Sequence, residues 1–125
     1  MIEMPDRTGE LARVINTLRE AKVELCGTWA WGEGNGKAKA ILIGKDHKQT
    51  EEHLKKVGVK YTVKEACLCE GNDQLGVFQE ILQKVAKAGV NLHAANAVGT
   101  GGRFCTALWP EEGQEEKLFQ LLGCK

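Results

Sequence analysis

Two short stretches of this 125-residue chain hold the parts of a binding site for a small charged molecule. Asp6-Arg7-Thr8-Gly9 and Asn72-Asp73-Gln74-Leu75-Gly76 each place an acid three residues ahead of a glycine, just before a run with helical spacing. A loop that ends at a helix N-terminus offers unsatisfied N–H groups to a carboxylate. A glycine there lets a ligand approach the backbone, and an acidic side chain complements an ammonium group. Together these are the elements of a zwitterion receptor. The same residues also have a structural reading, in which Asp6 caps its helix and the glycine makes the turn.

Other residues capable of chemistry fall into no catalytic arrangement. His47, His53 and His93 have no nucleophile and carboxylate patterned around them, and His47 and His53 are not spaced to share a helix face. His93 lies two residues after Asn91, on the same side of an extended segment; it can line a ligand site, or be packed or exposed. Gly32-Glu-Gly-Asn-Gly-Lys37 lacks the spacing of a phosphate loop and reads as a hairpin turn. Cys67 and Cys69 point the same way on a strand, which is how a soft-metal site could begin. Alternating with Ala66 and Leu68, they read as buried structural cysteines, with Cys124 exposed. Five cysteines, an odd number, fit reduced thiols better than a disulfide framework. No enzyme, cofactor or metal is called for.

Composition narrows the partners. Lys+Arg 17 against Asp+Glu 17 gives zero formal charge, without the basic face of a nucleic-acid binder. No apolar run approaches the roughly 20 residues that span a bilayer, and the start Met-Ile-Glu-Met-Pro-Asp lacks the order of a signal peptide. A cytoplasmic protein is expected.

The two loops are positioned by elements that recur. A shift of 67 positions lays Gly9 on Gly76, Leu11 on Phe78, Val14 on Ile81, Leu18 on Val85, Ala21 on Ala88, Val23 on Val90 and Leu25 on Leu92. A repeat this long points to a duplicated small domain. Each copy reads strand, helix, hairpin, helix. Leu11, Val14, Ile15, Leu18 and Ala21 define the buried face of the first helix. Val23–Trp31 and Lys37–Ile43 form a hairpin, Asp46–Val57 a surface helix ended by Gly58, and Val59–Cys69 a long extended run shared by both copies. The second copy follows with a turn over 70–76, a helix over 77–87, strands over 91–98 and 103–109, and a final helix over 111–123 with Leu118, Leu121 and Leu122 inward. The expected class is α+β, a tandem ferredoxin-like βαββαβ repeat of antiparallel sheets with helices on one face. The domains are expected at 1–64 and 65–125. Units of about 60 residues bury only about 60% of their surface, so association, as a homodimer, is anticipated.

Asp6-Arg-Thr-Gly-Glu-Leu11 with Ala21-Lys-Val-Glu-Leu25, and Asp73-Gln-Leu-Gly-Val-Phe78 with Ala88-Gly-Val-Asn-Leu92, resemble the ACT domain in tandem. The resemblance covers nearly the whole chain. It implies regulation: such domains bind small ligands, chiefly amino acids, at an interface between adjacent domains and pass the effect to an amino-acid metabolic enzyme. Carried onto this chain residue by residue, it marks Asp6 and Gly9 in the first copy and Asp73, Gly76 and Asn91 in the second; the contacting loops add Arg7, Thr8, Leu11, Asn72 and Leu75 as candidates, and His93 joins them by its place two after Asn91. The first copy departs with Lys22 and Glu24 where the pattern has glycine and asparagine, and the second with Leu75 before its glycine. The implied function is a non-catalytic regulator holding an amino acid or similar zwitterion; the alternative is an oligomerisation module without a working ligand site.

Overall fold

The computed structural model describes residues 1–124, which fall into two compact units, 1–63 and 64–124. Each builds the same pattern, an antiparallel α+β arrangement of the ferredoxin-like type, repeated in tandem.

In the first unit, β1 (Ile2–Pro5), α1 (Glu10–Glu20), β2 (Leu25–Gly34), β3 (Lys37–Gly44) and α2 (His47–Val57) follow in sequence. The sheet order is β1-β3-β2, with Ile2 opposite Ala40 and Trp29 opposite Ile41. The hairpin closes on Asn35 and Gly36, both at positive φ, the backbone that suits a tight turn between right-twisted strands. Ile2, Val14, Leu18, Val23, Ala40 and Leu54 make the core between sheet and helices. The second unit repeats this as β4 (Cys67–Asn72), α3 (Val77–Lys87), β5 (Leu92–Thr100), β6 (Arg103–Pro110) and α4 (Glu115–Leu122), with sheet order β4-β6-β5. Its core is Cys67, Val85, Val90, Leu108 and Leu118. No helix of the described residues is long and apolar enough to cross a membrane.

Three sequence expectations are corrected. Val59–Cys69 is not one strand: Tyr61 makes a single bridge to Ile2, and β4 begins only at Cys67. Alternation alone cannot hold a strand without a partner, and Val63 stands 63% exposed. The short segment nonetheless lies along β1, where Glu3 N–H donates to the Lys60 carbonyl at 3.0 Å and Thr62 N–H to the Met1 carbonyl at 2.8 Å. The last helix starts at Glu115 rather than 111, because Gly113 turns the chain at φ 86 after Glu111 N–H has bonded the Asn91 carbonyl. Leu121, expected inward, is partly exposed.

The repeat extends to backbone conformation. Gly9 and Gly76 both take φ 87, and Lys22 at φ 58 stands where the second unit has Gly89 at φ 69. A left-handed conformation costs a side-chain-bearing residue about 1–2 kcal/mol, partly offset by the freedom glycine brings to the unfolded chain. K22G is therefore expected to raise the melting midpoint by a few degrees, read by calorimetry; G89K, the reciprocal change, lowers it.

Candidate functional site

The two acidic turns are built alike. Asp6 follows the last residue of β1, and its N–H donates to the Gly36 carbonyl at 2.9 Å; Asp73 follows β4 and donates to the Gly102 carbonyl at 2.9 Å. Each turn is thereby fastened to the hairpin of its own sheet. The chain then rises through a left-handed glycine into the helix. Gly9 and Gly76 are the N-cap residues of α1 and α3, and no side chain caps either helix. This corrects the capping role expected of Asp6. The extra residues between acid and helix carry the aspartate past the position where its oxygen could reach the first turn. The Glu10 and Val77 N–H groups bond back to the Arg7 and Gln74 carbonyls, both at 3.2 Å. The next N–H groups of each first turn have no intrahelical partner by construction, and no side chain caps them.

The aspartates lie instead across the second strand of their sheets. A methyl group built on Gly32 would stand 2.9 Å from Asp6 Oδ2, and one built on Gly99 would stand 2.6 Å from Asp73 Oδ2. Gly32 and Gly99 are also 67 positions apart. Each carboxylate thus rests on a strand that is bare of side chain at that point. Reading the loops alone missed these two glycines. Extending the repeat register through the strands would have found them.

Among the other site residues, Arg7 is engaged by Glu10 at 2.7 Å, with Arg13 on the second carboxylate oxygen at 3.2 Å. Arg7 beside Glu10 holds that carboxyl below the usual carboxylate range. Thr8 is exposed on the turn. The Leu11 side chain packs on the first core. Asn72 Oδ1 accepts from Arg103 Nη1 at 3.3 Å, and Leu75 is fully exposed. Asn91 and His93 sit elsewhere. Asn91 N–H donates to Gln114 Oε1 at 2.8 Å, and His93 Nδ1 lies 4.0 Å from Glu111 Oε1. Eight residues of strand separate Asn91 from Gly99, about 26 Å at the rise of an extended chain. The second unit therefore holds Asp73 and Asn91 at opposite ends of β5.

The cysteines also depart from expectation. Cys67 and Cys124 are joined as a disulfide with Cα atoms 5.5 Å apart, a separation suited to the bond. Gly123, left-handed after α4, turns Cys124 back beneath β4, so it is neither reduced nor simply exposed. Cys69 Sγ is 3.7 Å from Cys67 Sγ. Burial, with Cys105 nearby, pushes the Cys69 thiol up from its ordinary value. Cys26 and Cys105 are free and exposed.

No family model and no curated protein matches the chain. Solved structures do match in fold. Protein BT0572 from Bacteroides thetaiotaomicron superposes with a TM-score of 0.84 at 14% identity, covering 98% of this chain and 83% of that one. The ligand-free regulatory subunit of aspartate kinase from Thermus thermophilus gives 0.68 at 19% identity, covering 98% and 86%. A structure of aspartokinase alpha and beta subunits gives 0.64 at 18% identity, covering 97% and 87%. The chain has a tandem ACT-like fold.

Proposed function

We propose that the chain is a non-catalytic regulatory protein that binds an amino acid or similar small zwitterion at its acidic turns, at an interface between ACT-like domains. The observation that carries this reading is the repeated arrangement of a carboxylate laid over a glycine of the neighbouring strand, beside a helix start that no side chain caps. The aspartate receives the ammonium, and the first-turn N–H groups of α1 or α3 receive the carboxylate. Asp73 and Asn91 are separated within their unit. A site using both therefore draws on two units, and a homodimer supplies the facing one. The likeness to a regulatory subunit of aspartate kinase supports a partner among amino-acid metabolic enzymes.

The test is a melting panel of the proteinogenic amino acids, one at a time. A ligand at 100 times its dissociation constant stabilises by about 2.7 kcal/mol, on the order of 10 °C at this size. D73N removes the ammonium partner and is expected to abolish the response of that site. G99A keeps the aspartate but its methyl displaces the carboxylate; it is expected to weaken binding by about tenfold or more while shifting stability by under about 0.5 kcal/mol, as at an exposed position. A panel with no selective rise would overturn the reading. One observation favours the oligomerisation module instead: the Asn91 backbone N–H, just ahead of β5, is already engaged by the Gln114 side chain. Light scattering that finds an assembly unchanged by D73N and by every amino acid would support that second reading.

A further inference from the structure

Three sulfurs meet under β4. The Sγ atoms of Cys67, Cys69 and Cys124 all lie within 4.8 Å of one another, and no imidazole or carboxylate among the described residues joins that group. They come from two elements far apart in sequence: Cys67 and Cys69 from alternate positions of one strand face, Cys124 from the turn that ends α4. Cys67 is fully buried, while Cys69 and Cys124 are partly buried. An open groove of about 630 Å³ leads to Cys124, and Glu65, Glu115 and Glu116 line it beside Phe119. Carboxylates along such an approach raise the local concentration of cations.

Thiolate sulfur selects soft ions such as Cu(I) and Zn(II). A cluster of three sulfurs with one buried anchor and an acid-lined approach has the donor set and the entry path that a metal site needs. We propose that the reduced chain holds one thiophilic d¹⁰ cation through the thiolates of Cys67, Cys69 and Cys124, and that the Cys67–Cys124 disulfide is the closed, metal-free state of the same site. The two states exclude each other because they use the same sulfurs. A dithiol opens the site: two electrons and two protons pass into the Cys67–Cys124 bond, giving two thiols and leaving the dithiol as its own disulfide. Binding the ion then releases three protons, one from each thiol, as three metal–sulfur bonds form.

The full-length chain, reduced with dithiothreitol and desalted without oxygen, would be titrated with Zn(II) against a chromophoric chelator. A second arm would use Cu(I) against a copper(I) chelator, following sulfur-to-copper charge transfer. The expected result is one equivalent of at least one of the two ions per chain, and none in the oxidised chain. Loss of an outer-shell partner alone costs about 10–100-fold in affinity, so C69S and C124S are each expected to cost about 100-fold or more. C26S and C105S, which alter the exposed thiols, should change nothing. C69S retains the disulfide, so its oxidised form is a check that the variant folds, read by circular dichroism. The proposal is overturned if the reduced chain takes up neither ion, if uptake is the same in the oxidised chain, or if a folded C69S binds as tightly as the parent.

Discussion

Opening the Cys67–Cys124 bond, by reduction or by C124S, is expected to lower the unfolding free energy of the second unit by about 4 kcal/mol. The bond closes a loop with a sequence separation of 57, and on the chain-entropy account a cross-link of that span removes about that much from the freedom of the unfolded chain. The partner left behind adds little: the Cys67 thiol is fully buried in an apolar cluster and behaves there as a small hydrophobe. C124S is the informative variant because its hydroxyl lies near the groove, whereas C67S would bury a polar group in the core. Trp109 is the single tryptophan of the second unit and is buried, so in a W29F/W31F background its fluorescence follows that unit alone. Denaturation with and without a dithiol should give midpoints that differ in the parent and coincide in C124S. Equal midpoints in the parent would mean that the cross-link contributes nothing.

Leu108→Ala is expected to cost the second unit about 3 kcal/mol. Leu108 is fully buried on β6, opposite Cys67 on one side and Ala95 on the other, and packs with Val85, Val90 and Leu118. Truncating such a leucine loses transfer free energy and leaves a cavity, together about 2–5 kcal/mol. A unit this small has little in reserve, so much of it would be unfolded near physiological temperature. Leu75→Ala is the matched control. That side chain is fully exposed on the acidic turn, and its removal should leave the denaturation midpoint in place. If L75A lowered the midpoint as far as L108A, the assignment of the core would be wrong.

What the chain revealed before folding was mostly local. The helix over 77–87 was legible to the residue because its stripe is bounded by Gly76 and by the Ala88-Gly89 turn. The duplication was legible because Gly9, Leu18, Val23 and their counterparts kept one register. Partnership was not. Nothing in Val59–Cys69 says that its neighbour is the short β1, so alternation there reads as one full strand, whereas only Tyr61 makes the bridge. Asp6 has the right identity for a cap, yet Gly9 intervenes, and the displacement that this causes is a matter of three-dimensional path. Gly32 and Gly99 carry no chemistry of their own and signal only through the carboxylates above them. Cys124 was unreadable for a related reason: which strand a residue returns to after Gly123 depends on how α4 docks.

The clasp at the start of β5 has a consequence of another kind. Asn91 accepts from Glu111 and donates to Gln114, and these two residues lead directly into α4, which ends at Cys124. Asn91, just ahead of β5, and the last sulfur of the cluster are thus joined through one segment, the turn at 111–114 and α4. Linkage between two sites on one body runs equally in both directions. If the proposed ligand engages Asn91, whatever free energy it transmits to the sulfurs is returned by their oxidation state in full, so its affinity measured in air and under a dithiol would be two readings of a single coupling.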